Sequence, residues 1–169
     1  MSSYKRVVPR NGFLPKKTFD LIQKSIPVVC VDLVILRNHH SELLLIKRRI
    51  EPETGKWCLI GGRVLMGERL SMAISRQTRR ELGVKVSILP PFGPNFPAFI
   101  DADPKADPQK HAVALTYPVT ISPNRTLNLE GPEFSKTKWF KLKKIPKLGF
   151  NHKKALAETM KKVQMFCRL

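Results

Sequence analysis

One spacing, between residues 62 and 84, constrains this chain more than any bulk property. In GRVLMGERLSMAISRQTRRELGV a glycine is followed after five residues by Glu68 and after seven more by Arg76, and Arg80-Glu81 and Gly83 close the run. Helical periodicity over 68–82 turns Leu70, Ala73, Ile74 and Thr78 toward a core, with Gly83 as the stop. Side chains three and four apart share a helix surface, so positions 77, 80 and 81 project together. Gly61 and Gly62, just upstream, let the backbone come close to that surface and offer a carbonyl oxygen. A glycine turn facing an acid-bearing helix is a place for a hard cation and for phosphate oxygens.

The flanking segments read as alternating strands and helices. Pro15 opens a short helix over 15–25, with Phe19, Leu21 and Ile22 as its apolar contacts. The β-branched run 28–36 predicts a buried strand, 42–49 its hairpin partner and 57–60 a short strand ending at the glycine pair. Beyond the central helix, 84–89 resumes a strand. Residues 90–110 carry six prolines and three aspartates and predict a long functional or mobile loop. Pro118 inside the strand 112–121 suggests an edge or a bulge. A last strand runs over 136–141, and a terminal helix over 151–166 shows Leu156, Met160, Val163 and Phe166 on one face. The expected architecture is one α+β domain over 15–169, a mixed β-sheet sandwiched between α-helices, preceded by an arm over 1–14.

At 169 residues and 42% hydrophobic content the chain can bury a real core. No apolar run reaches the roughly 20 residues of a membrane helix. Three widely spaced cysteines without a CxxC pair argue against a disulfide or zinc framework and for a reducing, cytoplasmic setting. The formal charge of +18 selects for anionic ligands and admits a weak affinity for nucleic acid, although the basic residues are dispersed as on a solvated surface.

The run from Gly62 to Val84 resembles the Nudix box, G-x5-E-x7-REUxEExGU with U bulky and aliphatic, of hydrolases acting on nucleoside-diphosphate-linked compounds. The box is degenerate. Gln77 and Arg80 stand where the family has metal-binding glutamates, Thr78 stands for the aliphatic residue, and of the three clustered acids only Glu81 remains. At ~4–5 Å and an effective dielectric near 20, Arg80 would oppose a facing unit charge by roughly 3–4 kcal/mol. Loss of clustered glutamates with retention of Glu81 is similar to the GDP-mannose mannosyl hydrolase branch. FLPKKTFDLIQKSIPVVCVDLV and ELLLIKRRIEPETGKWCLIGGRV also look like that branch's first helix, strand, hairpin and glycine turn.

What this resemblance implies is a single Mg²⁺, with Mn²⁺ as a substitute, on the Gly61 carbonyl, Glu81 and Glu133. It further implies diphosphate binding by Arg48 and Arg63, contact of Asp32 with sugar or base across a homodimer, and Arg76 bracing the box as an ion pair. Glu68 reads as an acid favouring the helix N-terminus rather than as a ligand. The branch's general-base histidine corresponds to Phe134 and its assisting tyrosine to Ala112, so His111 is the remaining candidate base. Asp101, Asp103 and Asp107 read as loop acids, and Trp57 and Phe96 as core aromatics. The leading expectation is hydrolysis of a nucleoside diphosphate sugar, water displacing the nucleoside diphosphate. The alternatives are pyrophosphate cleavage of ADP-ribose or a nucleotide, and a catalytically silent module that binds nucleotide or RNA.

Overall fold

The structure is a computed structural model that describes residues 14–122, 125–128 and 131–166. The expected arm therefore lies outside the described residues except for Leu14. In chain order the elements are α1 (Lys16–Ser25), β1 (Val28–Arg37), β2 (Glu42–Arg48), β3 (Trp57–Cys58), β4 (Ile60–Arg63), α2 (Leu70–Leu82), β5 (Val86–Ile88), β6 (Phe99–Asp101), β7 (Ala112–Ile121), β8 (Phe134–Lys141), a 3-10 turn (Leu142–Lys144) and α3 (His152–Phe166).

Strand parity organises the packing. Along β1, Val31, Leu33 and Ile35 join one apolar cluster with Leu44 and Ile46 of β2 and Ala73, Ile74 and Leu82 of α2. Val34 and Leu36 join a second cluster with Leu43, Leu45, Ala155 and Leu156 of α3. Successive side chains of a strand point to opposite faces, so an uninterrupted apolar run is what a sheet covered on both sides requires. The sandwich of a mixed sheet between α2 and α3 is as expected.

The sheet runs β3-β2-β1-β7-β5, with β4 also on β1, β6 on β7 and β8 on β2. β1 pairs in parallel with β7 from Val28↔Ala112 to Leu36↔Thr120, making β7 a central strand. This corrects the edge or bulge expected from Pro118. On its other side β7 pairs with β6 up to Thr116 and with β5 from Val119 onward. Pro118 falls in the gap between the two, where its carbonyl accepts the Leu89 N–H at 3.0 Å and no donor is required of it.

Three further expectations are corrected. Residues 90–110 are not a plain loop: they contain β6, bury Phe92 and Ala98, and are tied to β7 by Tyr117, whose hydroxyl donates to the Pro94 carbonyl at 2.7 Å. The central helix begins at Leu70 rather than Glu68, because the Glu68 side chain folds back to accept the Leu65 N–H at 2.9 Å. Leu21 and Phe166, expected on core faces, are 67% and 50% exposed.

Candidate active site

The glycine turn and α2 meet as the spacing predicted. Gly61 sits opposite Asp32 in the β1–β4 register, and a Cβ there would overlap the Asp32 carboxylate and the Val31 carbonyl. A Cβ at Gly62 would overlap the Gln77 amide. Only glycines let β4 pass this close to both β1 and α2. At the far end, Gly83 caps α2 in the left-handed region at φ 73°.

Arg76 braces the turn. Its guanidinium donates to both Glu68 carboxylate oxygens at 2.7 and 2.8 Å and to the Arg63 carbonyl at 2.9 Å. Burial alone would raise the Glu68 carboxyl, but the hydrogen bonds from Arg76 and from the Leu65 amide hold it below the ordinary carboxylate range. Glu68 is thereby fully committed within the turn.

Gln77, Arg80 and Glu81 do share one surface. Arg80 donates through Nε and Nη2 to Glu81 Oε1 at 2.8 and 2.5 Å, and through Nη2 to Glu133 Oε1 at 2.7 Å. Glu133 precedes β8, so one guanidinium joins carboxylates from two parts of the chain. Burial pushes the Glu81 carboxyl above its usual value in spite of Arg80. Glu81 Oε2 and Gln77 Oε1 are buried without a hydrogen-bond partner.

Gln77, Arg80 and Glu133 line a cleft of about 510 Å³ together with Asp32, Arg48, Gly61, Gly62, Arg63 and His152. That volume suits a small-molecule ligand. The cleft lining is rich in cations. The Arg63 guanidinium lies 3.9 Å above the Phe19 ring of α1, and burial, followed by repulsion from Arg76, lowers its proton affinity. Arg48 stacks over Phe150 at 5.1 Å, and its Nε donates to the Pro52 carbonyl at 2.8 Å. An anion arriving among these groups would relieve their mutual repulsion.

A second set of polar residues lines the same cleft. Asp32 follows the parity of Val34 and Leu36 and so faces α3, where His152 Nε2 stands 3.7 Å from its Oδ2. The Leu59 N–H donates to His152 Nδ1 at 3.0 Å, which leaves the imidazole proton on Nε2, toward Asp32. Burial raises the Asp32 carboxyl and lowers the His152 imidazole, each outweighing the partner's charge. Both are uncharged. Nearby, Asn151 Nδ2 donates to Asp101 Oδ2 at 2.6 Å and Lys110 pairs with Asp107 at 2.5 Å.

The structure thus brings Asp32, Arg48, Gly61, Arg63, Arg76 and Glu133 to one cleft, with Glu81 buried and joined to its lining through Arg80. It does not bring His111, which directly precedes β7 outside the cleft lining with Nε2 on the Ala102 carbonyl at 2.9 Å. Phe134 is wholly buried in the core. Sequence reasoning missed His152, whose only signal was its place at the start of a helix, and Asp101, which pairs in the cleft instead of solvating a loop.

The NUDIX domain family model matches residues 27–161. The chain belongs to this family. As a NUDIX protein it is 37% identical to the low-salt glycan biosynthesis protein Agl8 of Haloferax volcanii over 109 residues, 64% of this chain and 68% of that one. It is 27% identical to the ADP-ribose pyrophosphatase of Methanocaldococcus jannaschii over 135 residues, 80% of this chain and 74% of the relative. Among solved structures, a MutT NUDIX hydrolase from Burkholderia pseudomallei superposes with a TM-score of 0.66 at 27% identity, covering 79% of this chain and 98% of that one. This NUDIX chain is a Nudix-type hydrolase by family, with the box acids at positions 77 and 80 replaced.

The donors that a hard divalent cation would need are oxygens. Two orphaned buried oxygens, on Glu81 and Gln77, call for a positive partner. Among the described residues, no group of three or more His, Cys, Asp or Glu side chains could hold a metal.

Proposed function

We propose that this protein hydrolyses a nucleoside diphosphate sugar by attack of water at the anomeric carbon, in the manner of GDP-mannose mannosyl hydrolases. The observation that carries this reading is the polarity of the cleft. Arg48, Arg63, Arg76 and Arg80 line it together with the buried Asp32–His152 pair, where burial works against the charge of each partner. The arginines match a diphosphate, bound by Arg48 and Arg63. The buried polar pair matches sugar hydroxyls, which can exchange hydrogen bonds with it.

The scarcity of acids supports the same chemistry. Attack on phosphorus uses a metal-activated water and several acidic ligands. Displacement at the anomeric carbon passes through an oxocarbenium-like transition state and needs chiefly a stabilised leaving group. Arg48 and Arg63 supply that stabilisation, because negative charge builds on the departing phosphate. Glu81, the Gly61 carbonyl and Glu133 would hold a divalent cation, Mg²⁺ or Mn²⁺, which when bound neutralises the diphosphate. The likeness to a relative named for glycan biosynthesis points the same way.

A second reading, pyrophosphate cleavage of ADP-ribose, is favoured by the relative named as an ADP-ribose pyrophosphatase. Hydrolysis in ¹⁸O-water decides between them. Label in the sugar hydroxyl is the expected result, and label in a phosphate product replaces the first reading with the second. If the protein binds sugar nucleotides but turns over none with Mg²⁺ or Mn²⁺, it is a binding module.

A further inference from the structure

Arg80 stands where the family's box has a metal-binding acid, yet it is half-buried and turned onto the acids that remain. One of its nitrogens lies 2.5 Å from Glu81 Oε1 and 2.7 Å from Glu133 Oε1. Glu81 is 3% exposed, so its charge requires a local counterion. Two carboxylates and one guanidinium leave a net charge of −1 in this cluster. Glu81 Oε2 carries part of that surplus and, like the neutral Gln77 Oε1, is buried without a donor.

We infer that Arg80 is a tethered cation that fills one cation position of the box, limiting the site to a single divalent ion that must compete with the guanidinium for Glu81 and Glu133. A second divalent ion would meet the guanidinium at contact distance. The first gains full access to Glu81 and Glu133 only as Arg80 lets go. The planar fork makes the substitution effective, since it reaches both carboxylates at once where an ammonium would satisfy one. The inference concerns cation occupancy and not the bond cleaved, so it stands or falls separately from the hydrolytic reading.

The test is titration of the full chain with Mn²⁺, free ion being followed by electron paramagnetic resonance. A parallel set with Glu81→Gln marks which ions belong to this site. Wild type is expected to bind no more than one Mn²⁺ there, Arg80→Gln to bind it at least tenfold more tightly, and Arg80→Glu to bind a second. A metal-free thermal melt gives an independent readout. Arg80→Gln should melt below wild type, recover on addition of Mn²⁺, and recover without metal when combined with Glu133→Gln. Two Mn²⁺ ions at the wild-type site, or equal affinity in Arg80→Gln, overturns the inference. Should Arg80→Gln fail to fold, Arg80→Lys keeps the charge without the fork. It is then expected to bind Mn²⁺ at least threefold more tightly than wild type, and unchanged affinity overturns the inference.

Discussion

Single side chains in the cleft are held by burial more than by their partners' charge, and His152 illustrates the consequence. Its imidazole is buried and pushed below the ordinary histidine value of 6.5. Below that pH the unfolded chain takes up a proton that the folded chain refuses, so stability must fall as pH drops from about 6.5 toward the lowered folded value. The slope is bounded by about 1.4 kcal/mol per pH unit. His152→Asn keeps an oxygen able to accept the Leu59 amide and should flatten this dependence. Urea denaturation of both proteins between pH 5 and 8 measures it, and identical slopes would refute the neutral imidazole. Elsewhere in the cleft, Arg63→Met should lower kcat/KM for a sugar nucleotide about 100-fold, roughly the effect of removing one preorganised donor to developing charge. The accompanying check is an unchanged thermal melt.

At the scale of elements, the joint between the glycine turn and α2 does the positioning. Gly62→Ala would drive a methyl group into the Gln77 amide and should cost about 1–3 kcal/mol, as overpacking does. Combining it with Gln77→Ala removes the obstruction, so a double-mutant cycle should return a coupling above about 1 kcal/mol. Additivity would mean that the two residues do not touch. Glu68→Ala strands the Arg76 guanidinium and the Leu65 amide together, with an expected loss of about 2–3 kcal/mol in urea denaturation. This joint was the most legible part of the chain, since G-x5-E-x7-R records a turn length and a helical repeat, both local quantities. The two-faced burial of β1 was likewise readable from its run of β-branched and aliphatic residues. What local pattern could not carry were contacts across the fold. β6 hides among prolines because its three residues are specified by β7, not by their own propensity. His152 reaches the cleft only because α3 starts beside Asp32 and Leu59, 120 and 93 positions earlier in the chain. The 53-residue span from Arg80 to Glu133 was equally invisible.

For the molecule as a whole, the formal charge of +18 and the site answer to different distances. Charges dispersed over a surface act at long range and are screened within about 10 Å at 0.1 M salt, whereas groups inside the cleft act at contact. Raising salt from about 50 to about 200 mM should therefore abolish any retention of the protein on RNA. The KM for a sugar nucleotide should change only a few-fold over the same range. Filter binding and steady-state kinetics on one preparation compare the two. If RNA affinity survives while turnover collapses, the polyanion and not the small molecule is the ligand for which the charge exists.

The break in the sheet beside Pro118 has an implication for how this protein tolerates change. A residue's amide and carbonyl leave a strand on the same side, and here the carbonyl already meets Leu89. Any other amino acid at 118 would therefore add an N–H on that same side, opposite residue 89 in the antiparallel register. Pro118→Val is thus expected to leave the parallel ladder to β1 intact while adding a donor toward Leu89, and proline, so often the residue that interrupts a ladder, here falls where β7 changes from one short partner to the next.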